Sequence, residues 1–293
     1  MSTGALRITG KLPRLTGGRM VLAFSGWMDG GDVSTGTVRL LVRQLQAAEI
    51  ARIEPGDFYI FNFPGAMEVA ALFRPESNHD GGLIQSLDMP ENVFFANEKE
   101  NLILFVGREP NLQWPSFGDC VFELAQATGV TQITFVGSFA GGVPHTREPR
   151  LYGTVSDESL LPALQRFGVR PSSYHGPASF STYLMSRAPR QGVQMFSFAA
   201  EIPGYVEGTN PPSIAAITKR LAVMLGLQVS LAELRDASDE WETRITAAVA
   251  KDPELEAQIK KLEERYDDDL IGKSTADEDD DGDDDDEDEE EEA

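Results

Sequence analysis

Residues 21–45 read VLAFSGWMDGGDVSTGTVRLLVRQL, an apolar run that breaks at a glycine-rich turn and resumes as an amphipathic stripe. Val21–Phe24 is short and continuously apolar, as in a strand covered on both faces. Past the turn, Val38, Leu41, Val42 and Leu45 recur at three- and four-residue spacing, which predicts a helix from about Asp32. Nucleotide folds hold phosphate at such a junction, on the N–H groups of the helix start. Residues 31–37, GDVSTGT, have the spacing of a phosphate loop but no lysine between Gly36 and Thr37. Asp29 and Asp32 also put carboxylates where an anion would sit. Asp32 is expected to cap the helix through its side chain, with Gly30 and Gly31 taking the unusual backbone angles. The alternative is a polar ligand, or a cation held by Asp29, at the strand end.

Outward from this unit the pattern repeats. Strands are predicted over Met20–Phe24, Phe58–Phe61, Val93–Ala96, Leu102–Val106, Ile133–Val136 and Val193–Ala199. Helices are predicted to begin near Asp32, Pro115, Asp157, Pro177, Pro211 and Ser230, with Pro177 and Pro212 in first turns. Such alternation predicts an α/β fold, a three-layer sandwich with a mainly parallel sheet. After residue 229 strand patterns stop. Residues 230–270 read as a helical hairpin packed on the α/β domain of residues 15–229, with Asp252 as N-cap and Pro253 as first residue of the second helix. Leu255, Ile259, Leu262 and Tyr266 line one side of it.

Composition narrows the function. The chain has 293 residues and 41% hydrophobic content, enough for a sizeable core. It has no apolar run of about eighteen residues, and MSTGALRITGKLPRL lacks the apolar centre of a signal peptide. Cys120 is the only cysteine, and His79, His145 and His175 are scattered. A cytoplasmic protein without metal or other cofactor is expected. The net charge of −23 is uneven: residues 277–292 supply 15 of the 48 acids, leaving 33 against 25 bases, or −8, for residues 1–276. Residues 271–293 are therefore expected to form a disordered acidic tail. An acidic body argues against nucleic acid, and nothing suggests a membrane. Asp277, Asp279, Asp281, Gly282 and Asp288 match a calcium-loop spacing, as a near-continuous acidic run does by chance.

Parallel strands send their C-terminal loops to one crest, where ligand sites of α/β folds lie. The loops SGWMDGGD, GREPNLQWP, SFAGGVPHTR and EIPGYVEGTN are predicted to converge there. They would gather Gly26, Trp27, Asp29, Asp32, Gly141, Gly142, His145, Arg147, Glu201 and Tyr205, with Arg108 and Trp114. In a binding reading Arg147 holds an anionic group and Asp29 or Glu201 acts as base or cation ligand. No recognised catalytic constellation is encoded. Around Ser138, Val136 and Ala140 stand where a nucleophile elbow needs glycines.

The segments FSGWMDGGDVSTGTVRLL, FRPESNHDGG, ILFVGREPNLQWPSF, ITFVGSFAGGVPHTR, GPASFSTYLMSRAPRQGVQMFSFAAEIPGYV and LEERYDDDL, in this order and spacing, resemble the proteasome assembly chaperone family in its larger prokaryotic branch, which includes relatives labelled ATP-grasp. The resemblance spans about residues 15–270. It implies a domain like that of nucleoside phosphorylases and related hydrolases without their catalytic groups. It also implies a homo-oligomer and protein partners, proteasome subunits among them.

Overall fold

Four apolar runs, each too short for a buried helix, lie side by side at the centre of the molecule. In the computed structural model, which describes residues 4–279 and side chains as far as Ile271, they are β2 (Gly18–Ser25), β7 (Leu102–Arg108), β8 (Val130–Gly141) and β11 (Gln194–Pro203). They run parallel in the order β7-β2-β8-β11. Beyond β7 come β6 (Val93–Asn97), β3 (Ala48–Ile53) and β1 (Leu6–Ile8), each antiparallel to its neighbour. Beyond β11 come β9 (Leu151–Val155), antiparallel to it, and β10 (Arg170–Pro171). The predicted parallel sheet is thus the centre of a nine-stranded mixed one.

Alternation along the central strands divides their side chains between two cores. Met20, Leu22 and Phe24 face α3 (Trp114–Thr128) and α5 (Phe180–Arg187), in a core that also buries Phe105, Phe117, Cys120, Phe135 and Phe180. Val21 and Ala23 face α1 (Val33–Gln44) and α6 (Pro211–Leu225), with Val38, Leu41, Ile217 and Leu221. Helix, sheet and helix make the three predicted layers. Short α4 (Leu161–Arg166) follows a 3-10 turn that Asp157 caps at Ser159 N. Then α7 (Ala232–Val249) and α8 (Pro253–Asp279) form the C-terminal hairpin. Asp252 Oδ1 accepts from Glu254 N and Leu255 N, the predicted cap. Ile259 and Tyr266 are buried, with Leu255 and Leu262 half-buried beside them. The second helix continues past the expected end at residue 270; the acidic run from residue 280 lies outside the described residues.

Two predictions are corrected. Residues 58–61 form no strand. Gly56–Phe58 is a 3-10 turn, and Phe58 O accepts from Asn111 N and Leu112 N. Tyr59 Oη lies 2.8 Å from both Asn92 Oδ1 and Arg108 O, so this apolar segment braces the β7 exit. The helix expected from Pro177 begins at Phe180, because Ser179 Oγ accepts from Thr182 N and fixes the first turn there. The outer strands β1, β3, β9 and β10 have no sequence prediction, and neither does one further unit. Between β3 and β6 the chain leaves the sheet as an arm, with α2 (Met67–Ala71) and the antiparallel pair β4 (Glu76–Asp80) and β5 (Leu83–Asp88), which joins no other strand.

Candidate functional site

The opening turn is held by backbone on several sides. Ser138 N donates to Met28 O at 2.8 Å and Ser138 Oγ to Gly30 O at 2.6 Å, so this serine is a strap. Gly31 lies at φ +65°, where its missing Cβ also makes room for Asn210, whose N–H donates to Gly31 O. The capping prediction is reversed. Asp32 lies at φ +54° and its carboxylate turns away from α1 to accept from Thr209 Oγ1 at 2.7 Å. Asp29 does the capping: Oδ1 accepts from Thr35 N at 3.0 Å and Oδ2 from Thr35 Oγ1 at 2.8 Å. Burial raises the Asp29 pKa, against the lowering effect of the Thr35 bonds. The left-handed pair at residues 31 and 32 moves the cap three residues back along the chain.

The β8 and β11 exits are tied to each other and then to the hairpin. Glu201, 7% exposed, accepts from Gly142 N at 2.7 Å through Oε1, while Oε2 lies 3.8 Å from Arg150 Nη1. His145 is buried, with Nδ1 2.8 Å from Tyr205 Oη and Nε2 3.1 Å from Thr246 Oγ1 of α7. Its burial lowers its pKa, opposed by Glu242 and Glu263. Thr146 donates to Glu263, and Arg147 makes a two-pronged pair with Asp267, Nε to Oδ1 at 2.9 Å and Nη2 to Oδ2 at 2.8 Å. Asp269 accepts from Arg170 and forms an ion pair with Arg150. The Arg150 guanidinium lies 4.2 Å from the centre of the Tyr266 ring, and Tyr266 Oη donates to Glu148 O. The anion at Arg147 is therefore a side chain of α8. Loop 143–150 is a latch on which the C-terminal hairpin rests.

Trp27 stands apart from this latch. It is 63% exposed at the mouth of a cleft of about 600 Å³ on the α5 side of the sheet. Phe139, Tyr152 and Tyr174 supply further aromatic walls, and Thr154, Ser172, Ser179, Ser181, Thr182 and Ser197 supply hydroxyls. Among the described residues, no charged side chain lines it. Glu109 ties the Trp27 turn to the start of α5: Oε2 accepts from Trp27 N at 3.1 Å and Oε1 from Phe180 N at 2.7 Å. Tyr174, 67% exposed, is the second aromatic at the rim.

The four loops thus leave the same end of the parallel strands, but they serve separate places. Trp27 and Met28 border the cleft, and Gly26 lies against the Glu109 side chain beside it. Asp29 and Asp32 fasten the turn. Gly141, Gly142, Glu201, His145, Tyr205 and Arg147 belong to the latch. Trp114 packs against Phe180 and Tyr183, its Nε1 bound to Pro110 O. Arg108 lines a different cleft with Arg39 and Arg52. Sequence reasoning passed over Glu109, Tyr174 and the hydroxyls of PASFST; the only signal was a dense Ser/Thr run before a helix. Among the described residues, no three His, Cys, Asp or Glu side chains assemble as a metal site, and no helix is long and apolar enough to cross a membrane.

Comparison with known proteins fits this frame. A Mycobacterium tuberculosis proteasome-assembly chaperone homologue is 26% identical, with a TM-score of 0.71 over 82% of this chain and 99% of that one. A PAC2 family protein from Streptomyces avermitilis is also 26% identical, with a TM-score of 0.69 over 82% and 98%. An archaeal proteasome activator from Pyrococcus furiosus, 16% identical over 83% and 97%, shares the fold at a TM-score of 0.62. No curated protein matches the chain. The family model described as the PAC2 family matches residues 23–249, which contain the turn, the cleft walls and the latch; the chain belongs to the PAC2 family.

Proposed function

We propose that the protein is a non-enzymatic, homo-oligomeric, assembly-chaperone-like protein that binds subunits of a larger assembly, proteasome α-subunits first among them. One observation carries this reading. At the strand ends, where an α/β enzyme binds its substrate, one half is occupied by the chain's own hairpin. The other half presents Trp27 and Tyr174 at the rim of an uncharged cleft. Large aromatics with a polar edge dominate binding energy at protein interfaces, because they bury much area at little cost in side-chain entropy. The kinship with a proteasome-assembly chaperone homologue supports the choice of partner. Mixing the full chain with purified proteasome α-subunits tests it: co-elution by size exclusion, weakened at least tenfold by Trp27→Ala, supports it. No complex at micromolar concentrations overturns it.

A second reading rests on the same cleft. Aromatic walls with many hydroxyls and no charge suit an uncharged ring bearing hydroxyl groups. A thermal-shift series with nucleosides and neutral sugars tests it, since a ligand at about 100 times its dissociation constant adds roughly 2.7 kcal/mol. A flat series removes it.

A further inference from the structure

Between α6, α7 and the latch lies a cleft of about 580 Å³. Helical spacing aims its walls. On α6, Lys219 and Arg220 follow Ala215 and Ala216 at four residues, and the two alanines leave the space between the helices open. On α7, Arg235, Asp239 and Glu242 recur at four and three residues along one face. Loop 145–151 forms a further side, with Gly168 and Arg170 beside it. Six lining side chains are bases and three are acids, six less three, or +3. Residues 1–276 as a whole carry −8. A positive cleft in an acidic body draws anions to itself.

The bases divide into two groups. Arg147, Arg150 and Arg170 are already held by Asp267 and Asp269 of α8. Among the described residues, Lys219, Arg220 and Arg235 make no ion pair. Arg220 is half-buried nonetheless. Its guanidinium lies over Gly168, where a Cβ would come within 3.3 Å of Nη2. Among the described residues, two buried arginine nitrogens lack a hydrogen-bond partner, Arg150 Nε and Arg220 Nε, and both arginines line this cleft. Taking a guanidinium out of water without a counter-charge is costly, and a bound anion offsets that cost.

The acids limit what fits. The unpaired bases come from the end of α6 and the start of α7, on either side of the connection 226–231. Asp239 and Glu242 stand further along α7, toward Thr246, which meets His145 Nε2. An extended polyanion, such as nucleic acid, would run onto these carboxylates. A compact anion fits at the basic end. Three unmatched cations call for about three negative charges, more than the roughly −1.5 to −2 of one phosphate. We propose that the α6–α7 cleft binds a small molecule through a diphosphate group held by Lys219, Arg220 and Arg235. The arginine forks match phosphate oxygens in pairs, and the lysine adds a point charge. This site goes beyond the reading above and lies apart from the Trp27 rim.

Isothermal titration calorimetry of the full chain with inorganic pyrophosphate, in metal-free buffer at fixed ionic strength, tests it. Saturable binding with a dissociation constant below about 1 mM is expected. Lys219 and Arg235 are exposed, so the Lys219→Gln, Arg235→Gln double variant should keep its circular dichroism and bind at least tenfold more weakly. Arg220→Gln, which keeps part of the stem beside Gly168, should weaken binding to the same degree. Arg39→Gln, in the cleft that Arg108 lines, should leave it unchanged. Citrate, of similar charge but built from carboxylates, should bind at least tenfold more weakly than pyrophosphate. No saturable heat, undiminished binding by the double variant, an equal loss in Arg39→Gln, or citrate as tight as pyrophosphate overturns the proposal. None of these outcomes touches the α-subunit test, because that test reads Trp27.

Discussion

Replacing Tyr266 with alanine tests whether loop 143–150 latches the hairpin onto a self-sufficient sheet. The ring is 7% exposed, lies under the Arg150 guanidinium and donates through its hydroxyl to Glu148 O at 2.9 Å. Truncating a buried aromatic costs about 3–5 kcal/mol, and a single hydrogen bond contributes about 1 kcal/mol. Tyr266 sits at a seam between α8 and the crest loop, so the lower end, about 3 kcal/mol, applies to Tyr266→Ala. Tyr266→Phe keeps the ring and its cation and should cost about 1 kcal/mol. At about 1.4 kcal/mol per tenfold change, local opening of the hairpin should rise on the order of 100-fold in the first and fivefold in the second. Amide hydrogen exchange read by mass spectrometry reports this directly. Peptides from residues 253–271 should lose protection in that ratio, while peptides from β2 and β8 stay protected. Equal protection in both variants, or loss of protection across β2 and β8 as large as in α8, would refute the latch.

Three further outcomes follow from the same geometry. A Cβ on Gly141 would lie 2.4 Å from Glu201 Oε1, so Gly141→Ala should cost about 3 kcal/mol in chemical denaturation, and adding Glu201→Ala should recover part of it. Asp29→Ala should destabilise by about 1 kcal/mol through loss of the cap, and Asp32→Ala by less than about 0.5 kcal/mol, the reverse of what chain position alone suggests. The pKa of His145 is lowered in the folded state, so the unfolded chain takes up its proton first as pH falls. Stability should be level above about pH 6.5, the unfolded value, and decline as pH drops below it; melting curves of His145→Gln should show a shallower decline.

The central sheet was legible because it is written in runs. Val21–Phe24 and Leu102–Val106 are apolar without break, and Ile133–Val136 is broken only by the buried Thr134, which is what burial on both faces demands. The edges were not. In β3, AEIARI, Glu49 and Arg52 interrupt the pattern because one face of an edge-side strand meets solvent and pairs its charges there. Phe58–Phe61 is as apolar as a strand, yet its hydrogen bonds go to a loop and a side chain, a choice no local pattern records. The capping error has a similar source: Asp32 stands where a cap should, but φ +54° turns it outward. Most instructive is LEERYDDDL. Asp267 and Asp269 look like the start of the acidic run, whereas they are the partners of Arg147, Arg150 and Arg170. The two arginines of TREPR, facing the first and third aspartates of YDDDL, were a readable clue. The arm was invisible because its apolar residues have no core of their own chain to face.

The Trp27 rim is the surface whose binding to protein decides the proposed function. Affinity measured by biolayer interferometry, with purified proteasome α-subunits immobilised and the full chain in solution, addresses it directly. Saturable binding by the wild type, at least tenfold weaker for Trp27→Ala and unchanged for Asp32→Ala, is the predicted result. Binding that is absent, or equally strong without the Trp27 ring, would contradict it.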